Sequence, residues 1–214
     1  MNILQTIRKF KAVIFDMDGT LVDNIPFHKK AWLQFLHAYQ ISIPEAEFDA
    51  QNHGTGPEMV KKFFGNHLSN RELNDLWKVK EETYRELYTR KLKPINGLNS
   101  FLKSLKKENI RIALATMGTK ENIDLVLDGL DIRDYFEVIV AGDEVSKGKP
   151  HPEVYSKAAE MLDLKTMHCI AIEDSMSGIR SAAAAGMEVI AITTSSSENY
   201  FKNIGLRYII KDFL

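Results

Sequence analysis

The segment Ala12–Asp23, AVIFDMDGTLVD, joins an apolar run directly to two aspartates that stand one residue apart. Four consecutive apolar residues are typical of a strand that is buried on both faces of a parallel sheet. Residues two apart in a strand point the same way, so Asp16 and Asp18 would share one direction at its carboxyl end. Because like charges so placed repel each other, the pair predicts a bound cation, and an open set of carboxylate oxygens favours Mg²⁺.

Five further apolar runs indicate more strands of the same kind: RIALAT, EVIV, HCIAI, EVIAI and RYII. Helical periodicity separates most of them, as in the series Leu98, Phe101, Leu102 and Leu105. Alternating strands and helices predict an α/β fold with a Rossmann-like, doubly wound parallel sheet. In such a fold the ligand site lies beyond the carboxyl ends of the strands.

The first strand is followed by about seventy residues without a second strand, which is far longer than an ordinary loop. Apolar periodicity predicts amphipathic helices around Trp32–Tyr39 and Met59–Phe64, and a third that begins at the capping box SNRE, Ser69–Glu72. We therefore predict an inserted all-α helical bundle, a cap domain, over residues 24–93. Residues 1–23 and 94–214 would form the α/β catalytic core.

The composition argues against several classes of partner. Lys and Arg number 28 and Asp and Glu 29, and the formal net charge of −1 gives no electrostatic footprint for nucleic acid or an anionic membrane. The one basic run, Arg8–Lys11, is short and favours a solvated segment. No apolar run approaches the roughly 20 residues of a membrane span, and the single cysteine, Cys169, cannot form an intrachain disulfide. We expect a cytoplasmic protein with a small partner, no nucleic acid and no membrane; a monomer is compatible with the sequence.

Polar residues also follow other predicted strands. RIALAT ends at Thr116, which is followed by the backbone N–H groups of Met117 and Gly118, and Glu173–Asp174 follow HCIAI. Lys149 stands in KGKPHP, just before a predicted helix. Because the carboxyl ends of parallel strands lie at one edge of the sheet, we expect all of these groups to meet the two aspartates of the first strand.

Four segments, in this order, resemble the motifs of the haloacid dehalogenase superfamily, whose members are aspartate-nucleophile phosphotransferases. FDMDGTLVD is similar to the first motif, Thr116 to the second, Lys149 in GKPHPEVY to the third, and EDSMSGIRSAAAAGM to the fourth. A helical insertion after the first motif, entered through NIPFHKKAW, resembles the cap of the subgroup that contains β-phosphoglucomutases and many sugar-phosphate phosphatases.

The resemblance implies a division of labour between the two aspartates. Asp16 would attack phosphorus and form an aspartyl phosphate, which splits one difficult displacement into two easier ones. Asp18 would protonate the leaving oxygen and later deprotonate the attacking water. Mg²⁺ would be held by Asp16, Asp174 and the main-chain carbonyl of Asp18, with Glu173 acting through water.

The resemblance also implies a phosphate-binding set made of Lys149, Thr116 and the backbone N–H of Met117. These groups would neutralise the phosphoryl oxygens, which is where most of the catalysis of phosphoryl transfer lies. Relatives often carry a small or amide residue at the position of Met117, so a side-chain hydrogen bond to phosphate is missing here.

Three residues of the insertion are candidate substrate or cap residues: His28, Gly54 and Thr55. The resemblance implies that His28 helps to position the neighbours of the nucleophile or couples cap closure to the chemistry; the alternative is a hydrogen-bonded packing residue. The loop Asn52–Glu58 lacks the arginine with which β-phosphoglucomutases grip a second phosphate, and a Gly-Pro turn that starts the Met59 helix explains this loop equally well.

Because the loop offers no arginine to bind a second phosphate, water is the favoured acceptor of the phosphoryl group. We therefore predict a Mg²⁺-dependent phosphatase that hydrolyses a small phosphorylated metabolite, such as a sugar phosphate; the alternative is a sugar phosphomutase of the β-phosphoglucomutase type. A receiver-type signalling module would carry its acceptor aspartate on a later strand and leaves the insertion unexplained. A dehalogenase has no leaving oxygen for Asp18 to protonate.

Overall fold

A computed structural model describes residues 3–51 and 54–214, and the chain divides into two compact units. One unit comprises the described residues up to Asp23 together with Leu92–Leu214, and the other is Asn24–Lys91. The predicted residues Asn52 and His53 lie outside the described part of the chain.

All six predicted strands are present and form one parallel sheet, so the α/β prediction is confirmed. The strands are β1 (Ala12–Phe15), β2 (Arg111–Ala115), β3 (Val138–Val140), β4 (Cys169–Glu173), β5 (Glu188–Ile192) and β6 (Tyr208–Ile210). Their spatial order is β3-β2-β1-β4-β5-β6.

The α-helices of the described residues, in chain order, are α1 (Ile3–Ile7), α2 (Ile25–Ala38), α3 (Glu45–Gln51), α4 (Gly56–Phe64), α5 (Asn70–Tyr88), α6 (Leu98–Lys107), α7 (Lys120–Gly129), α8 (Glu153–Met161), α9 (Met176–Ala184) and α10 (Glu198–Asn203). None of them combines the length and the apolarity that crossing a membrane would require.

Strand β1 lies at the centre of the sheet, between β2 and β4, because its four apolar residues can be buried on both faces. The chain proceeds from β1 to one side of the sheet and then returns to the other side at β4. Beyond Phe15 the backbone N–H of Asp16 still donates to the carbonyl of Ile172, at 3.0 Å. The residues that follow β1 therefore lie at the point where the strand order reverses, the usual ligand site of such sheets.

The described residues of the unit Asn24–Lys91 form four α-helices, α2 to α5, around an aromatic core. Three of them are the predicted amphipathic helices, and α3 was not predicted. Its seven residues, EAEFDAQ, hold one large apolar side chain, Phe48, which is fully buried. One large apolar residue in two helical turns produces no periodic pattern from which a helix could be predicted. In the structure the Phe48 ring packs against Trp32 and Phe63, and this contact holds α3 in the unit.

Helices α4 and α5 both begin with a reciprocal capping box. The predicted box at α5 is confirmed: the Ser69 N–H donates to the Glu72 carboxylate at 2.8 Å, and the Glu72 N–H donates to the Ser69 hydroxyl at 3.3 Å. Thr55 and Glu58 make the same two contacts at 2.7 and 3.4 Å. The Thr55 N–H and hydroxyl hold the pKa of the Glu58 carboxyl below its usual value. Thr55 is therefore the N-cap of α4.

Replacing Thr55 with Ala is expected to lower the free energy of unfolding by about 1 kcal/mol, because the Glu58 N–H loses its acceptor. Thr83→Ala is the matched control: the hydroxyl of Thr83 donates within α5 to the Val79 carbonyl, and alanine is the better helix former there. Urea unfolding of both variants measures the difference. Equal stability of the two variants would contradict the capping role.

Candidate active site

Three neighbouring strands converge on the ammonium group of Lys149. Its Nζ lies 2.6 Å from Asp16 Oδ1, after β1, and 2.7 Å from Glu173 Oε1, at the end of β4. It also donates to the carbonyl of Ala115, at the end of β2, at 3.0 Å. The expectation that these strand ends share one site is thus met by direct contacts among Asp16, Lys149 and Glu173.

Glu173 is completely buried and accepts hydrogen bonds on both oxygens. Oε1 accepts from Lys149 and, at 2.9 Å, from the hydroxyl of Tyr155, whose ring centre lies 4.9 Å from the Lys149 Nζ. Oε2 accepts from the N–H groups of Asp174 and Ser175, each at 3.1 Å, and from the Ser175 hydroxyl at 3.0 Å. Five donors, including Lys149 itself, fix the position of the Glu173 carboxylate, and the carboxylate in turn holds the Lys149 ammonium group in place.

The site holds more negative charge than its own cation balances. Burial raises the pKa of Asp16 to about 8, and the charges of Glu173 and Asp18 act in the same direction, against the opposing effect of Lys149. Burial, with Glu173 and Asp16 nearby, also raises the pKa of Asp174 well above its usual range. For Lys149, burial lowers the pKa, but the two carboxylates that it contacts outweigh burial and raise it.

The donor set fits a divalent cation. Asp16, Glu173 and Asp174 each offer a carboxylate oxygen, and these oxygens lie within 4.8 Å of one another. Hard oxygen donors are the ligands that Mg²⁺ prefers, and a cation would offset the excess of buried negative charge. Gly19 adopts φ +78°, and a Cβ at this position would collide with the Asp174 carboxylate, so the close approach of β1 and β4 at this point requires glycine.

The residues predicted to bind phosphate also lie at this edge of the sheet. Thr116 is fully buried just after β2, and its hydroxyl accepts the Gly118 N–H at 2.9 Å. Met117 is half-buried, and its backbone packs closely against Gly142. A Cβ added at Gly142 would lie only 2.7 Å from the Met117 carbonyl oxygen. A Cβ at Gly118 would lie 3.7 Å from Asp18 Oδ2, so the Asp18 carboxylate faces the segment that follows β2.

The three candidate cap residues belong to the helical unit. The His28 ring stacks on Tyr84, with centres 3.7 Å apart, and its Nδ1 lies 3.0 Å from the Nζ of Lys80. Lys80 is buried and forms an ion pair with Glu81 at 2.8 Å. Gly54 is exposed with a positive φ, and Thr55 caps α4.

Among the residues around this site that sequence reasoning did not single out are Tyr155 and Ser175, which contact Glu173, and Thr194 and Ser195. Ser195 donates from its hydroxyl to Asp174 Oδ2, and Thr194 donates to the Gly19 carbonyl. Both lie within three residues of the end of β5, so the strand-end rule applied to the other strands also identifies them. Tyr155 had no such signal, because its place on the buried side of α8 indicates only packing.

Tyr155→Phe is expected to lower the free energy of unfolding by about 1.5 to 3 kcal/mol, the usual cost of losing a hydrogen bond to a charged group. The phenyl ring preserves the packing beneath Lys149, so the change isolates the hydroxyl. Tyr200→Phe, at an exposed position of α10, is the control and should shift stability by less than about 0.5 kcal/mol. Chemical denaturation in EDTA measures both; a Tyr155→Phe value as small as that of the control would contradict the prediction.

Comparison with known proteins agrees with this geometry. Residues 13–192 match the family model described as haloacid dehalogenase-like hydrolase. The β-phosphoglucomutase of Bacillus subtilis is 35% identical over 192 residues, covering 85% of this chain and 83% of the relative. The phosphorylated carbohydrates phosphatase of Thermotoga maritima is 32% identical over 181 residues, covering 84% and 83%.

A solved structure of a haloacid dehalogenase hydrolase from Entamoeba histolytica, family IA, variant 3, superposes with a TM-score of 0.87 at 29% identity. The match covers 95% of this chain and 93% of that one. The residues that match the family model include Asp16 and Asp18 after β1, Lys149 and the Glu173–Asp174 pair. The chain belongs to the haloacid dehalogenase-like hydrolase family.

Proposed function

We propose that the protein is a Mg²⁺-dependent phosphatase that hydrolyses a small phosphorylated metabolite, a sugar phosphate or a similar compound, through an aspartyl-phosphate intermediate. The observation that carries this proposal is the buried cluster of Asp16, Lys149 and Glu173, with Asp174 beside it, at the carboxyl edge of the sheet. Relatives described as acting on phosphorylated carbohydrates support the substrate class.

In this proposal Asp16 is the nucleophile. Lys149 holds one of its oxygens at 2.6 Å, which orients the carboxylate before substrate arrives. An Asp16 oxygen forms a bond to phosphorus while the bond from phosphorus to the leaving oxygen breaks, and Asp18 gives a proton to that oxygen. Asp18 then takes a proton from the water that attacks the aspartyl phosphate, which releases phosphate and restores Asp16.

Lys149, Thr116 and the backbone N–H of Met117 would bind the phosphoryl oxygens. The Thr116 oxygen accepts the Gly118 N–H, which leaves its own proton to donate to the substrate. Donors held by neighbouring strands need little reorganisation as charge develops on the phosphoryl group.

Asp16, Asp174 and the Asp18 carbonyl would hold the metal, and Glu173 would act through water while it anchors Lys149. A bound Mg²⁺ supplies positive charge that screens the carboxylates from the phosphoryl group. We further propose that residues 24–93 act as a cap domain that selects the substrate, with His28 and Gly54 among the residues involved. Thr55 belongs to the same proposed set, and its side chain also caps α4.

Phosphate release from sugar phosphates, nucleotides and pyrophosphate, measured with Mg²⁺ and with EDTA, tests the proposal. We expect turnover of at least one sugar phosphate in Mg²⁺ and loss of that turnover in EDTA. Turnover that survives both EDTA and Asp16→Asn would overturn the mechanism, and no turnover of any phosphorylated compound would overturn the function.

A sugar phosphomutase is the second candidate, because a β-phosphoglucomutase is 35% identical to this chain. Against it, Thr55, Gly56 and Pro57 offer no cation for a second phosphate. The two activities separate in one assay: a mutase converts β-glucose 1-phosphate to glucose 6-phosphate, is stimulated by a sugar bisphosphate and releases little inorganic phosphate.

A further inference from the structure

The three residues that follow β5, Thr193–Ser195, connect three separate parts of the α/β unit, and we call them the β5 brace. The Thr193 N–H donates to the carbonyl of Ile210 in β6, at 2.9 Å. The Thr194 hydroxyl donates to the carbonyl of Gly19, and the Ser195 hydroxyl donates to Oδ2 of Asp174. The brace thus contacts the segments that follow both β1 and β4.

These contacts limit where the Asp174 carboxylate can lie. Gly19 presses against it on one side, where a Cβ would collide with Oδ2, and the Ser195 hydroxyl donates to the same oxygen. Thr194 holds Gly19 itself through its carbonyl. Oδ2 is therefore directed toward the brace, and the orientation of the whole carboxylate is fixed by these two contacts.

We infer that Ser195 is a positioning residue for the divalent cation, acting through Asp174, and that the β5 brace is part of the metal site. This inference rests on the proposed function. Hydrogen bonds that orient a ligating carboxylate usually change metal affinity by about 10-fold to 100-fold when they are removed. Because Ser195 is exposed, its loss should weaken the binding of metal without costing the packing of the sheet.

Three single variants test this role: Ser195→Ala removes the hydroxyl, Ser195→Thr keeps it, and Ser196→Ala is the control. Ser196 is the neighbour of Ser195 and makes no side-chain hydrogen bond to the described residues. Mn²⁺ binding to the metal-free protein, followed by electron paramagnetic resonance, and Mg²⁺ binding, followed by calorimetry, report affinity without any turnover. Thermal unfolding in EDTA reports stability separately.

We expect Ser195→Ala to weaken Mn²⁺ and Mg²⁺ binding by about tenfold or more, with an unchanged melting temperature in EDTA. The Mg²⁺ concentration for half-maximal phosphatase activity should rise by a similar factor, while kcat at saturating Mg²⁺ stays within about twofold of the unmodified protein. Ser195→Thr and Ser196→Ala should bind both ions with unchanged affinity.

Ser195→Ala affinity equal to that of Ser196→Ala would overturn the inference, and so would weaker binding that is matched by a lower melting temperature in EDTA. Both results leave the proposed function intact when the unmodified protein shows Mg²⁺-dependent turnover. If the unmodified protein binds Mn²⁺ and Ser195→Ala weakens that binding, the inference stands even where no substrate in the panel is hydrolysed.

Discussion

Replacing Asp16 with Asn is expected to reduce phosphate release by about a thousandfold or more, because the amide is a poor nucleophile and binds a cation weakly. The substitution keeps the shape of the side chain and removes one of three clustered buried carboxylates, of which Asp16 and Glu173 contact the single ammonium group of Lys149. The variant should therefore fold and melt in EDTA at or above the temperature of the unmodified protein. Steady-state phosphate release and thermal unfolding give the two readouts.

Asp23→Asn is the matched control, since Asp23 belongs to the same segment but is exposed. It should leave turnover within about twofold. Rapid quenching followed by mass spectrometry should detect a covalent phosphoryl adduct on Asp16 in the unmodified protein and none in Asp16→Asn. An Asp16→Asn variant that is as active as Asp23→Asn would exclude Asp16 as the nucleophile.

Lys149→Met is expected to lower the free energy of unfolding in EDTA by about 3 to 5 kcal/mol, the usual cost of removing one partner from a buried charge pair. Methionine fills a similar volume but leaves Asp16 and Glu173 without their shared cation. Turnover should also fall by about a hundredfold or more, because the phosphoryl oxygens lose a charged donor. Urea unfolding and phosphate release measure the two effects.

Lys147→Met provides the control, because Lys147 lies two residues away and is exposed. A double variant tests whether the loss comes from the charge pair: Glu173→Gln together with Lys149→Met should cost less than the sum of the two single changes, since the neutral amide removes one uncompensated charge. Additive losses would show that Lys149 and Glu173 stabilise the fold independently.

Most of the sheet and of the charged cluster could be predicted from the sequence. Continuous apolar runs predict β1 and β4 because a strand buried on both faces requires them; Asp16 follows β1 directly, and Glu173 is the last residue of β4. Because parallel strands end at one edge of the sheet, the sequence also predicts that Asp16 and Glu173 lie near Lys149. In the structure the Lys149 Nζ lies 2.6 Å from Asp16 Oδ1 and 2.7 Å from Glu173 Oε1.

Other features carried no local signal. Helix α3 depends on the burial of Phe48, and the hydroxyl of Tyr155 has a function only because Glu173 lies 2.9 Å away. The capping of α4 by Thr55 could not be decided from the sequence either, because a Thr three residues before a Glu fits an N-cap or a substrate contact equally well until the helix is seen.

The sequence by itself determined the order of the six strands along the chain, the helical insertion after β1 and the carboxylates at the strand ends, because hydrophobic periodicity and strand termination are properties of short segments. Only the tertiary structure decided how those carboxylates are used: Lys149 joins Asp16, 133 positions away, to Glu173, and Ser195 holds one oxygen of Asp174. The physical reason is that a hydrogen bond forms only when the donor and the acceptor lie within a few tenths of an ångström of the optimal distance. The packing of the whole sheet sets those distances.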